Sequence, residues 1–402
     1  MVSAPDRVAL PTIGTVLSLL AGRGAFRIAY HAMALVLLAC WGAEAFGLYA
    51  GAAGATAWIA LLSSGAEKTV LKLVPRLPRT ANAVARTAVL TSAVPLAIAV
   101  LCTVVAAGST AVVYPLAAAW SAGLGLLTVV VAVHRAAGRP ARDSRGFLLL
   151  TALLLIATGA GTRLTPAGQL LLLAMTTCGA ALWSARGIGA ALSATAGWTS
   201  ARPRRQVTAA VLRSELLLGL YEPLGAASVG VLYFVLALGS RHGDSTTLYL
   251  ALLVSSVVGS LLLYLLRIYQ PASSLRLRGT GARAGIDIAR RLFVIALAGS
   301  GAGCALAAVA AGPFSGTALL VVLLCFEIPM HALVSLALFL LENTGSRELI
   351  IAATGAAAQF AAVVVLAPLL IPAHGPVAAL WALVASYAVL AAAALVRLGR
   401  PV

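Results

Sequence analysis

The chain has 402 residues, 61% of them hydrophobic and only 10% charged, with a mean hydropathy of +1.03. That balance excludes a soluble domain and describes an all-α polytopic membrane protein. A net charge of +17 would suggest nucleic acid for a soluble chain, but here the loops must first be placed on their sides of a bilayer.

Apolar runs long enough to span, separated by polar or Gly/Pro breaks, predict about twelve transmembrane helices. They fall near 14–42, 47–66, 85–107, 111–134, 146–162 and 167–190, then 207–239, 246–267, 289–311, 316–341, 346–371 and 375–397. The first run carries Arg23, Arg27 and His31 at i, i+4 and i+8, on one helical face. Arg27 would lie roughly 20 Å along that helix. A charge at the bilayer centre costs about 2.5–3.5 kcal/mol on insertion scales, so the face needs a wet cavity or counter-charges. The alternative is a span starting only at Ala25, with Arg23 snorkelling to the headgroups and His31 a packing residue.

Placing the N-terminus inside puts 24 of the 28 Lys and Arg residues on the cytoplasmic side and two outside, leaving the two arginines of the first span. Both termini are then cytoplasmic and the span count is even. The asymmetry accounts for most of the net charge, so no nucleic-acid partner is implied. The basic loops would attract anionic membrane lipids. Nothing signals a cleavable leader, since Asp6 stands just before a long span. The outer loops near 107–110, 311–316 and 372–375 are too short for a catalytic domain.

The long inner loop at 186–207 is the best boundary between two six-span lobes, 1–200 and 201–402. An internal echo supports it. Gly47-Leu48-Tyr49 opens the second span and Thr247-Leu248-Tyr249 the eighth, 200 residues and six spans apart. Parallel six-helix repeats around a central cavity are a transporter architecture. Cys40, Cys102, Cys178, Cys304 and Cys325 all fall inside apolar runs without a C-x-x-C, and read as small packing residues. No Walker loop, H-E-x-x-H or G-x-S-x-G is present, so no cofactor, metal or enzymatic activity is expected. Gly299-Ser300-Gly301-Ala302-Gly303 carries the G-x-x-x-G of close helix packing.

Two stretches suggest a family. Glu44-Ala45-Phe46-Gly47-Leu48-Tyr49-Ala50 leads to the basic, proline-containing Lys68-Thr69-Val70-Leu71-Lys72-Leu73-Val74-Pro75-Arg76. Ile371-Pro372-Ala373-His374-Gly375-Pro376 continues to Ser386-Tyr387. Both resemble the polysaccharide-biosynthesis, Wzx-like flippases of the multidrug/oligosaccharidyl-lipid/polysaccharide exporter superfamily. The middle, 106–200, carries no recognisable family motif, and the ninth to eleventh spans are unusually rich in Ala and Gly. The resemblance implies a bacterial inner-membrane exporter. Its cargo would be a polyisoprenyl-diphosphate-linked glycan or a related amphipathic anion, moved by alternating access and an ion gradient. A multidrug or secondary-metabolite exporter of the same fold is the alternative; its cavity would be dominated by acids. A lipid-linked glycosyltransferase would need outer-face carboxylates, and only Glu44 and Asp244 are placed there. A scaffold of the same fold remains open, as does the oligomeric state, a monomer included.

Few acids lie within the spans. Glu222 precedes Pro223, and Glu215 lies seven residues earlier on the same face. Glu327 and His331 form an i, i+4 pair around Pro329. The substrate-binding expectation is Arg23, Arg27, His31 and Glu222, with Glu222 opposite Arg23 across the cleft. The ion-coupling expectation is Glu327, His331 and Glu215. Against it stand simpler roles: Glu215 at the interface with Arg213, Glu222 as structural, Glu327–His331 as a hydrogen bond fixing helix packing.

Overall fold

The computed structural model describes residues 11–189, 205–238, 242–310 and 316–399. The expected boundary at residue 200, the 311–316 loop, Arg7, Arg202, Arg204, Arg241 and Arg400, and the side chains of Glu44 and Asp244 lie outside the described residues. The chain forms two compact units, Met1–Gly219 and Leu220–Val402. Every regular element described is helical, and ten stretches are long and apolar enough to cross a membrane.

The first unit contains α1 (Ile13–Thr56), α2 (Ser64–Arg76), α3 (Ala81–Val105), α4 (Val113–Ala136), α5 (Ala141–Gly161), α6 (Pro166–Ala185) and α7 (Arg205–Gly219). Thr12 caps α1 and Thr165 caps α6, each hydroxyl accepting from a backbone amide three residues on. Gly42, at φ 74°, breaks α1 into two legs where a side chain would be strained. Leu37 and Tyr49, one on each leg, are buried in one cluster, and Trp41 meets Tyr49 edge-on at 5.8 Å. The central helix is α4: Ala117, Leu127 and Val129 to Val133 are all buried. Gly22 on α1 sits against the Ser144 backbone of α5, and Ser18 and Ser144 share a hydrogen bond of 3.1 Å. This close approach sets the neighbouring residues, Arg23 and Asp143, side by side.

The expected span 207–239 matches one apolar stretch, Arg205–Leu236, long enough to cross a membrane, with a break in its helix at Leu220. Pro223 has no N–H for the carbonyl of Gly219 and its ring crowds that turn, so α7 stops there. The next helix, α8, runs Tyr221–Leu238. Glu215 thus lies on α7 of the first unit and Glu222 on α8 of the second.

The second unit holds α8 with α9 (His242–Arg276), α10 (Thr280–Ala310), α11 (Gly316–Glu342) and α12 (Ser346–Leu398). A straight helix of 53 residues would run about 80 Å, far more than a bilayer. Instead α12 breaks at Gly375, at φ 59°, and doubles back: a Cβ on Gly355 would touch Leu390 at 3.5 Å. The core joins Phe293 and Ala296 of α10, Val334 and Leu338 of α11, and both legs of α12.

The glycine motif acts as expected in packing α10 on α11. A Cβ on Gly303 would lie 2.8 Å from Phe326 Cγ, and one on Gly299 would lie 2.8 Å from Met330 Cε. Gly301 faces open space. Gly303→Val should therefore destabilise the protein by about 1–3 kcal/mol through overpacking. Gly301→Val serves as the matched control for helix propensity. The apparent melting temperature of the purified protein checks this; equal melting of the two variants would show the α10–α11 contact to be loose. The cysteines depart from expectation: Cys40, Cys102 and Cys325 lie exposed rather than packed between helices.

Candidate functional site

The stripe on α1 divides in two. Arg27 and His31 are exposed, with the His31 ring 5.5 Å from that of Tyr30. Arg23 is only 15% exposed at its side chain and meets counter-charges within its own unit. Its Nη2 lies 3.5 Å from Glu67 Oε1 and 3.5 Å from Asp143 Oδ2. Arg135 Nη2 lies 3.2 Å from each of the same oxygens. Two guanidiniums and two carboxylates thus form a charge-neutral square joining α1, α2, α4 and α5. Both carboxylates are completely buried. The Arg23 guanidinium also stacks on Phe147, 4.5 Å above the ring centroid.

The helices favour these charges where they stand. Glu67 and Asp143 lie in the first turns of α2 and α5, where the helix dipole attracts an acid. Arg135 lies in the last turn of α4, where it attracts a base. Next to it, His134 Nε2 is 2.7 Å from the Ser184 carbonyl of α6, pinning that corner.

The second unit holds the other expected residues. Glu222 opens α8 and pairs with Arg267 of α9. The expectation set Glu222 against Arg23; within their own units each has other counter-charges. Arg23 meets Glu67 and Asp143, and Glu222 meets Arg267, each pairing within one unit. Glu327 and His331 do come together, through a residue from the far leg of α12. The Tyr387 hydroxyl donates to Glu327 Oε1 at 3.0 Å and lies 3.1 Å from His331 Nδ1. Glu327 is 2% exposed. Glu215 on α7 is half-buried with Thr91 of α3 as a side-chain hydrogen-bond partner, while Arg213 is exposed.

Glu67, Arg135, Asp143, Arg267 and Tyr387 were not picked out from the sequence. Arg135 and Arg267 counted among the inner-loop charges, and the signal against that was their place within the last turns of long apolar runs. Tyr387 stood in the family-like Ser-Tyr pair without a role. Glu67 and Asp143 each sit beside basic residues and look locally satisfied.

No family model and no curated protein matches the chain. Solved structures do. A Pyrococcus furiosus transporter of the MOP superfamily, described by the reverse polarity of its binding pocket, superposes with a TM-score of 0.63 at 14% identity. The match covers 94% of this chain and 92% of that one. An outward-facing multidrug-resistance MATE transporter of the MOP superfamily gives 0.62 at 15% identity, covering 94% and 92%. The Vibrio cholerae MATE transporter VcmN in its bent form gives 0.55 at 14%, covering 96% of each chain. The fold is that of the MATE transporters, over nearly the whole chain.

Proposed function

We propose that the protein is a membrane transporter that moves an amphipathic anion by alternating access, with a polyisoprenyl-diphosphate-linked glycan as the cargo class. It would sit in a bacterial inner membrane with both termini cytoplasmic. The supporting observation is the sorting of charge within the spans. Glu67, Asp143, Glu222 and Glu327 are all buried in pairs or networks, whereas Arg27 and His31 are exposed. An exposed guanidinium deep in an apolar helix suits a phosphate, which it can grip with two parallel hydrogen bonds. An exporter of organic cations would instead present acids. The Wzx-like motifs favour the glycan carrier. The multidrug reading has its own support, since a multidrug-resistance transporter is among the structural neighbours. The description of the Pyrococcus furiosus neighbour by a reversed pocket polarity suggests that this fold carries pockets of differing charge.

The test is reconstitution in liposomes with a fluorescent polyisoprenyl diphosphate on one leaflet and, separately, a cationic dye. Diphosphate should cross faster than in empty liposomes under an ion gradient. Arg27→Ala should weaken binding of the diphosphate about tenfold or more, since a charge-assisted hydrogen bond contributes about 1.5–3 kcal/mol. Arg27→Lys should lose less, keeping the charge but not the fork. Transport of the dye without the diphosphate would favour the multidrug reading.

A further inference from the structure

We propose that the corner where α4, α5 and α6 meet binds the headgroup of an anionic phospholipid, with Arg139, Arg142, Arg145 and Arg186 around its phosphate. Such a site serves the surrounding membrane and is independent of the cargo.

The four arginines converge from two helices. Arg142 and Arg145 lie one turn apart at the start of α5, and Arg139 stands two residues before that helix begins. Arg186 closes the end of α6. Arg139, Arg145 and Arg186 are exposed and Arg142 is half-buried. None of the four has a carboxylate partner among the described residues. Asp143 stands between two of them in sequence, but it is fully buried and is met by Arg23 and Arg135. Other arginines near helix ends are already engaged. Arg267 pairs with Glu222, and Arg290 Nη2 donates to the Leu398 carbonyl at 3.1 Å.

The corner is also held in shape. The Arg142 guanidinium lies over the ring of Trp183 on α6, 5.5 Å from its centroid. Gly138, at φ 76°, turns the chain so that the Arg139 amide donates back to the His134 carbonyl at 2.8 Å. The His134 ring in turn reaches the Ser184 carbonyl, tying the end of α4 to α6. Charges fixed in this way lose less freedom when a ligand arrives.

Guanidiniums grip phosphate oxygens with parallel, charge-assisted hydrogen bonds. The start of α5 adds its dipole, and no side chain caps it. Those features alone would serve free phosphate as well. The flanks argue for a lipid. Leu148, 49% exposed, lies one turn beyond Arg145, and Leu182, 69% exposed, lies one turn before Arg186. Both helices therefore pass from basic to apolar in the same direction, as a phospholipid passes from headgroup to acyl chain. Trp183 beside them is the residue type that favours the headgroup level.

The test titrates phosphatidylglycerol into the purified protein in phosphatidylcholine-containing micelles and follows the unfolding temperature. The temperature should rise with the anionic lipid, and no rise overturns the site. Each arginine lost should weaken the apparent affinity about fivefold, so Arg142→Gln with Arg145→Gln should weaken it about 25-fold. Trp183→Leu, which keeps every charge, should weaken it about two- to fivefold. Arg278→Gln with Arg283→Gln removes the same charge from exposed positions of the second unit and should change the affinity less than about twofold. Equal losses in the two double variants would show diffuse attraction and overturn the site. Unfolding without lipid checks that each variant folds. If the Arg142 variant does not, Arg139→Gln with Arg145→Gln, both exposed, carries the same comparison. Inorganic phosphate in place of the lipid should leave the unfolding temperature unchanged. A rise equal to the lipid's would overturn the phospholipid in favour of a free anion.

Discussion

Asp143→Ala should cost the first unit about 3–5 kcal/mol, the usual penalty for breaking a buried ion pair by removing one partner. For a unit of this size that is a fall of roughly 6–20 °C in melting temperature. The cost comes from what remains. Arg23 and Arg135 would share one carboxylate, Glu67, in a site where both acids are fully buried. Surface ion pairs contribute about 1 kcal/mol or less, so the size of the loss separates a buried network from an interfacial one. Adding Arg135→Met to Asp143→Ala leaves Arg23 with Glu67, one charge of each sign, and should recover most of the loss. Additive effects in that double-mutant cycle would show that Arg135 and Asp143 do not interact. Asp143→Ala melting with wild type would remove the case that Arg23 is held by counter-charges.

That network also marks where the sequence stops being informative. The spans were legible because bilayer thickness fixes their length and composition, and residues 14–42, expected as one helix, end at the Gly42 break. Gly299 and Gly303 were legible because a close helix crossing needs small residues at that spacing. The need of Arg23 for counter-charge was legible as well, from the insertion cost alone. Its partners were not. Glu67 and Asp143 lie 44 and 120 positions away, and only the packing of α1 on α5, with Gly22 against Ser144, brings the latter near. Nor could the sequence say that Glu222 has a counter-charge of its own in Arg267. A repeat offset aligns depths along the chain but does not say which charges a unit satisfies internally. The break at Leu220 had its signal in Pro223, yet the continuous apolar run on both sides reads as one span.

In the second unit the expected pair holds together only through a third residue, and that sharpens what its loss should do. Glu327→Gln should abolish gradient-driven transport while the protein stays folded. Tyr387 spends its single hydroxyl hydrogen on Glu327 Oε1, so the hydrogen in its 3.1 Å contact with His331 comes from Nδ1. Donors thus run in one direction, His331 to Tyr387 to Glu327, from α11 across to the far leg of α12 and back. When a proton is taken up at His331 Nε2, the Nδ1 hydrogen can pass to Tyr387 and the Tyr387 hydrogen to the buried carboxylate, and each link depends on the next. The competing role is a fixed hydrogen bond that only locks α11 against α12. Glutamine separates the two: its carbonyl oxygen can accept from Tyr387, but it cannot take up a proton. Tyr387→Phe keeps the ring in the core and cuts both bonds, so transport should fall by about two- to tenfold, the equivalent of one lost hydrogen bond. Liposomes carrying each variant, assayed with and without an imposed proton or sodium gradient, give the answer, with thermal unfolding as the check on folding. If Glu327→Gln transports at the full wild-type rate under the gradient, the relay is packing, and the ions that drive the cycle act elsewhere.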